Sequence, residues 1–122
     1  MCKLDLSRIQ DWLDSLDEDS RNRVDMALHE LALQGPQLRM PLVKLIEGST
    51  THALKELRIA KYHGHIYRIL FCFGPDREAV MLVAGDKASH GMKHWYEWSI
   101  PVAEEMIQQL KDPAHCGLML GS

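Results

Sequence analysis

The chain has only three cysteines, Cys2, Cys72 and Cys116, and none belongs to a CxxC pair. Spacing this wide argues against a disulfide framework and a structural zinc site, and for a reducing compartment. No apolar run approaches the length of a bilayer span, and Met1 is not followed by a signal-peptide pattern. The expected location is therefore the cytoplasm, with no membrane association. Also missing are an HExxH signature, a glycine elbow around Ser49, Ser89 or Ser99, a phosphate-cradling glycine loop and a dinucleotide fingerprint. Those absences speak against zinc peptidases, serine hydrolases and nucleotide-cofactor enzymes. His63 and His65 alternate in a turn, and Gly91 interrupts the spacing of His90 and His94. No metal and no cofactor are expected.

What is present is an ordinary globular composition: 122 residues, 46% apolar and 25% charged. That length supports one domain with a real core, expected over residues 1–112 with an unstructured tail over 113–122. The net charge of −3 is unevenly spread. Residues 1–35 carry four basic and eight acidic side chains, whereas residues 55–94 carry seven basic and four acidic ones. A basic sheet beside acidic helices can mark a phosphate-facing surface.

Ile9, Trp12, Leu13 and Leu16 fall at helical spacing, with Ser7 as N-cap. Val24, Ala27, Leu28 and Leu31 repeat the stripe, capped by Asp17 or Asp19 and ended at Gly35-Pro36. Together they predict an antiparallel helical hairpin. "PQLRMPLVKLIEGST" reads as a connection of mixed character. From Ala53 the period becomes two, and "ALKELRIA", "HIYRILFCF" and "EAVMLVAG" read as consecutive strands joined through "KYHGH" and "GPDR". A polar loop "DKASHGMKHW" should follow, then a last helix from about Pro101 with Ala103, Met106, Ile107 and Leu110 inward. The expected fold is α+β: a helical hairpin on one face of a three- to four-stranded antiparallel sheet, with a C-terminal helix at its edge.

Antiparallel pairing through "KYHGH" sets Arg58 opposite Arg68 and Ile59 opposite Tyr67. Leu57, Ile59, Tyr67, Ile69 and Phe71 then share the core face. Continuing through "GPDR" brings Val83 beside Arg68 and points Lys87 to the same side. Like charges facing each other are unfavourable unless an anion offsets them. Either Glu56 and Asp86 do so internally, or a ligand phosphate does. Cys72, between Phe71 and Phe73, is expected to be a buried hydrophobe rather than a nucleophile.

In this order (helical hairpin, "GPQLRMPLVK", "KELR", "YRILF", "LVAGDK", the Trp95-Tyr96 pair and "IPVAEE") the sequence resembles the RelE/HigB-like toxins of bacterial type II toxin–antitoxin systems. The likeness is to the group related to phage Gp49-like proteins, over roughly residues 9–111. It implies a RelE-like fold and a metal-independent endoribonuclease that cuts messenger RNA in the ribosomal A site. There the ribose 2′-OH attacks the adjacent phosphate, leaving a cyclic phosphate and a 5′-OH. It further implies Arg58, Arg68 and Lys87 as the groups that hold the phosphate, with His94 and Tyr96 handling protons. Lys55, Lys61 and Lys93 would bind RNA, and Trp95 would stack on a base. A cognate antitoxin, of helix-turn-helix type, is the expected partner, and a homodimer stays open. Two departures stand out: only "CKLDL" precedes the first helix, so that either the chain starts late or the opening strand is very short, and the chain is mildly acidic. The alternatives are a ParE-like inhibitor of DNA gyrase without nuclease activity, or an inactive relative that only binds its antitoxin.

Overall fold

The computed structural model describes residues 1–46, 54–74, 76–89 and 91–111. The tail expected over 113–122, and with it Cys116, lies outside the described residues, as do Ser49, Pro75 and His90. The chain runs β1 (Leu4–Asp5), a 3₁₀ turn (Ser7–Ile9), α1 (Gln10–Ser15), α2 (Glu18–Gln34), β2 (Val43–Leu45), β3 (Lys55–Arg58), β4 (Tyr67–Phe73), β5 (Ala79–Asp86) and α3 (Met92–Lys111). The strands form one sheet in the order β1-β5-β4-β3-β2. β1 pairs parallel to β5, and the remaining neighbours are antiparallel.

The α+β class and the helical hairpin hold, and the sheet gains two short edge strands. β1 is the very short opening strand for which "CKLDL" left room. β2 comes from the segment read as a connection, and its edge position explains why three residues suffice. Asp17 caps α2 by accepting the Ser20 backbone N–H, and Gly35, at φ 57°, ends it. Ser7 is not the N-cap of the first helix. The Asp5 carboxylate instead accepts the N–H and hydroxyl of Ser7 and pairs with Arg8. Leu16 has already left the helix in an extended conformation.

The sheet is covered on both faces. On one, Ile9, Leu13, Val24, Leu28 and Leu31 of the hairpin pack on Leu57, Ile59, Tyr67, Ile69 and Phe71, the core face expected from alternation. On the other, Trp95, Ala103 and Ile107 of α3 pack on Leu54, Leu70, Cys72, Val80, Leu82 and Val83. The last helix therefore covers the second face rather than sitting at the sheet edge. It also begins at Met92, well before Pro101, which lies inside it. Proline there removes the N–H that would bond the Glu97 carbonyl. Both residues are exposed, so water can take that carbonyl and the helix continues.

Candidate functional site

The β3–β4 hairpin sets the site. Its turn places His63 and Gly64 both at positive φ (49° and 82°), the signature of a type I′ turn. Reciprocal Tyr62–His65 backbone bonds close it. By itself that turn would set Arg58 opposite Ile69. Ala60 and Lys61 stand against Ile66 alone, and this extra residue shifts the register by one, so Arg58 faces Arg68 as expected. On the next strand the expected partner is wrong. Arg68 lies opposite Gly85, and Val83 opposite Leu70. Two one-residue shifts cause this. The turn closes between Gly74 and Glu78 rather than Gly74 and Arg77, and Leu70 pairs with Val83 but Phe71 with Met81, leaving Leu82 unpaired in a bulge. Leu82 and Val83 consequently both enter the α3-side core. The same irregularity turns Gly85 and Lys87 onto the arginine face; without it Lys87 would point toward the helical hairpin.

Glu56, Arg58, Arg68 and Lys87 thus meet on the α3 side of the sheet. Lys44 joins them from β2, where it pairs with Glu56, and Tyr96 from the first turns of α3. Lys44, Ile46, Glu56, Arg58, Lys87, Tyr96 and Ile100 line a cleft of about 410 Å³.

Glu56 is the hub. It is 1% exposed, and its Oε1 lies 3.9 Å from the Nε of both Arg58 and Arg68. Its Oε2 accepts the Tyr96 hydroxyl at 2.5 Å, and the Tyr96 hydroxyl oxygen in turn accepts from Lys87 Nζ at 3.1 Å. The arginines are neither turned apart nor locked bidentately by their own acids. Asp86, the other expected counter-ion, serves elsewhere. It accepts the N–H groups of Ile66 and Ala88 and bonds His65 Nδ1 at 2.7 Å, which pins the strand end that carries Lys87.

The two arginines differ in freedom. Arg68 is 7% exposed, and its Nη1 donates to the Ile59 and Tyr67 carbonyls. Its Nε is buried with no hydrogen-bond acceptor among the described residues. Arg58 keeps a third of its side chain in solvent; among the described residues its Nε pairs with Glu56 and its Nη1 reaches only Met40 Sδ, so it can grip a ligand. Burial lowers the pKa of Arg68, against the pull of Glu56. Burial and the neighbouring Arg68 charge likewise lower that of Lys87. Burial, then the hydrogen bond to Glu56, push the Tyr96 phenol well above its usual value, so it stays a proton donor.

The other expected site residues lie elsewhere. His94 is exposed, about 200° around the helix from Tyr96, and does not line the cleft. Lys93 is exposed on the same turn and is not in the lining either. Lys55 belongs to the opposite set of β3 positions, paired with Leu45 and Phe71. Lys61 is exposed beyond the end of β3. Trp95, expected to stack on a base, is 0% exposed and packs in the α3-side core, with no ring face open to a ligand. Sequence reasoning missed Lys44, whose only signal was the apolar alternation of "LVKLI", and underrated Glu56. Among the described residues no three His, Cys, Asp or Glu side chains group as metal ligands, and no helix is long and apolar enough to cross a membrane.

Comparison with known proteins identifies the family of the chain. Residues 11–108 match the family described as Phage derived protein Gp49-like (DUF891). The putative toxin HigB3 of Mycobacterium tuberculosis (strain ATCC 25618 / H37Rv) is 38% identical over 112 residues, 92% of this chain and 95% of that protein. The putative toxin HigB2 of the same organism is 40% identical over 105 residues, 86% of this chain and 52% of that longer protein. No solved structure matches. With a family match across most of its length and a relative covered nearly end to end, the chain belongs to the phage-derived Gp49-like family, among relatives named as HigB toxins.

Proposed function

We propose that this protein is the toxin of a type II toxin–antitoxin pair and that its α3-side cleft cleaves messenger RNA on the ribosome without a metal ion. The observation that carries the reading is the convergence of Lys44, Arg58, Arg68 and Lys87 around one carboxylate and one phenol. Among the described residues these four cations face a single carboxylate, Glu56, and the local excess of positive charge is what a phosphodiester and its pentavalent transition state require.

In this reading Arg58 and Lys44 hold the non-bridging oxygens, and Arg68 supplies a fixed charge behind them. Glu56, the one carboxylate among the described residues that line the cleft, takes the proton of the 2′-OH as the O2′–P bond forms. The P–O5′ bond breaks, and Tyr96 donates its proton to the leaving oxygen. Lys87 resupplies Tyr96, and the Lys87–Tyr96–Glu56 chain returns the proton from Glu56 to Lys87, so none is gained or lost. The products are a 2′,3′-cyclic phosphate and a 5′-OH. The partner in the cell would be a helix-turn-helix antitoxin encoded by a neighbouring reading frame, and the site of action the cytoplasm.

Controlled expression in a bacterial host tests this. Wild type should arrest growth and leave transcripts with new 5′-OH ends. Arg58→Ala and Tyr96→Phe should relieve both effects, by roughly 10²-fold or more in cleavage rate for Tyr96→Phe. His94→Ala should stay toxic. Undiminished toxicity of Arg58→Ala would overturn the reading, and intact transcripts with inhibited supercoiling would place the protein with gyrase inhibitors instead.

A further inference from the structure

A second cleft adjoins the first. It has a volume of about 300 Å³ and shares Arg58 with the first cleft, so that side chain stands between the two. Its walls include Pro41, Leu42 and Ile59 on the apolar side and Arg58, Lys61 and Arg68 on the polar side, with no acidic residue. Lys61 is exposed and pairs with no carboxylate among the described residues. Arg68, more than nine-tenths buried, also lines this wall, held by its Nη1 bonds to the Ile59 and Tyr67 carbonyls. Glu56, 3.9 Å from the Nε of both arginines, lines the first cleft and not the second. Among the described residues the second cleft is thus a concave, cationic surface with no acidic side chain in its lining, and its Lys61 is unpaired.

Resting on the reading of the first cleft as the cleavage site, we infer that the Lys61 cleft holds the phosphate adjoining the scissile one. The preferred ligand is then single-stranded RNA with at least two consecutive phosphates lying across Arg58. Two phosphates side by side explain why Arg58 stays partly exposed while Arg68 is anchored to the backbone. One arginine reaches both phosphates from between them; the other provides fixed charge behind. A phosphate contact of this kind adds affinity without base preference and makes binding more salt-dependent.

The test measures binding of dye-labelled 2′-O-methyl oligouridylates of two and four nucleotides, which lack the attacking hydroxyl, by fluorescence anisotropy across a salt series. Wild type should bind the tetranucleotide several-fold more tightly than the dinucleotide. Lys61→Gln should remove most of that gain, leave the dinucleotide within two-fold, and shrink the salt slope for the tetranucleotide by about 0.7, the value for one single-strand phosphate contact. Lys3→Gln makes the same charge change at the far edge of the sheet and should alter neither. Wild-type binding with no length dependence, or a Lys61→Gln loss equal for both lengths or matched by Lys3→Gln, would overturn the second subsite alone. A tetraglutamate peptide that competes as well as the tetranucleotide would also overturn it, in favour of an acidic protein partner. Failure to bind either oligonucleotide would overturn the first cleft's assignment together with this one.

Discussion

Replacing Glu56 with glutamine keeps the side chain's shape and removes one charge from the middle of the cationic cleft. The carboxylate is almost wholly buried, 3.9 Å from two guanidinium nitrogens and hydrogen-bonded to Tyr96. Opposite unit charges about 4 Å apart attract by about 4 kcal/mol at an effective dielectric of about 20. Two such attractions are offset by several kcal/mol for taking the carboxylate out of water. The Arg58 share is weakened further because a third of that side chain is in solvent. Removing one member of a buried ionic cluster leaves the others uncompensated, which costs about 3–5 kcal/mol. At about 2.1 cal/mol/K of unfolding entropy per residue, 122 residues turn that into a Tm loss of roughly 12–20 °C. Thermal unfolding followed by circular dichroism measures it. Repeating the scan in sodium sulfate against sodium chloride of equal ionic strength adds a second reading. An oxyanion should stabilise Glu56→Gln more than wild type, because it fills the charge that the carboxylate vacates. A loss under about 4 °C, about 1 kcal/mol, or equal sulfate gains in both proteins, would show that Glu56 does not hold the cluster.

Two further perturbations probe the frame around the cleft. A Cβ on Gly85 would lie 2.5 Å from Nε1 of the fully buried Trp95, so Gly85→Ala should displace the indole and cost roughly 1–3 kcal/mol; an unchanged Tm would show that the packing there is loose. Burial raises the Asp86 carboxyl, but hydrogen bonds from Ile66, His65 and Ala88 outweigh it and hold the pKa below its usual value. A depressed carboxyl contributes stability above its unfolded pKa of about 3.9 and loses it as pH falls through the folded value. Wild type should therefore be more stable than Asp86→Asn at neutral pH, and the gap should narrow as pH is lowered through 4, measured by urea unfolding. A gap that widens there would reverse the assigned sign.

The Arg58–Arg68 pairing was legible because taking all of "KYHGH" as the connection absorbs the extra β3-side residue that lies between the tight turn and the paired strands. The bulge was not: from Ala79 to Ala84 every residue is apolar and the strand is buried on both faces, so slipping by one residue exposes no polar group. Lys87 nevertheless lies on the expected face, because the register drawn from the "GPDR" turn had the same parity as the bulged one. β2 escaped notice because three residues beside a proline carry almost no periodicity, and Lys44 went with it. Pro101 was misleading because proline suits both a helix start and an exposed interior position where its missing hydrogen bond costs less. Trp95 and Tyr96 read as one aromatic pair, yet neighbouring helical positions lie about 100° apart. One faces the core and its neighbour the cleft.

The mild acidity of the whole chain also loses its force once the layers are known. Asp11, Asp14, Glu18, Asp19 and Asp25 sit exposed on the helical hairpin, on the opposite face of the sheet from Arg58 and Lys87. A helix is about 10 Å across with its side chains, while charges are screened over about 8 Å at physiological salt. Acids on the outside of the hairpin are therefore more than one screening length from the cleft, and an approaching phosphate meets mainly the cations that line it. What sets its affinity is the local balance of Lys44, Arg58, Arg68 and Lys87 against Glu56, not the total of −3. The acidic layer can still act at a distance by orienting the molecule as it nears a polyanion, turning the hairpin away and the cleft forward. A basic overall charge is thus not required for a phosphate-binding face; the sheet separates the two signs.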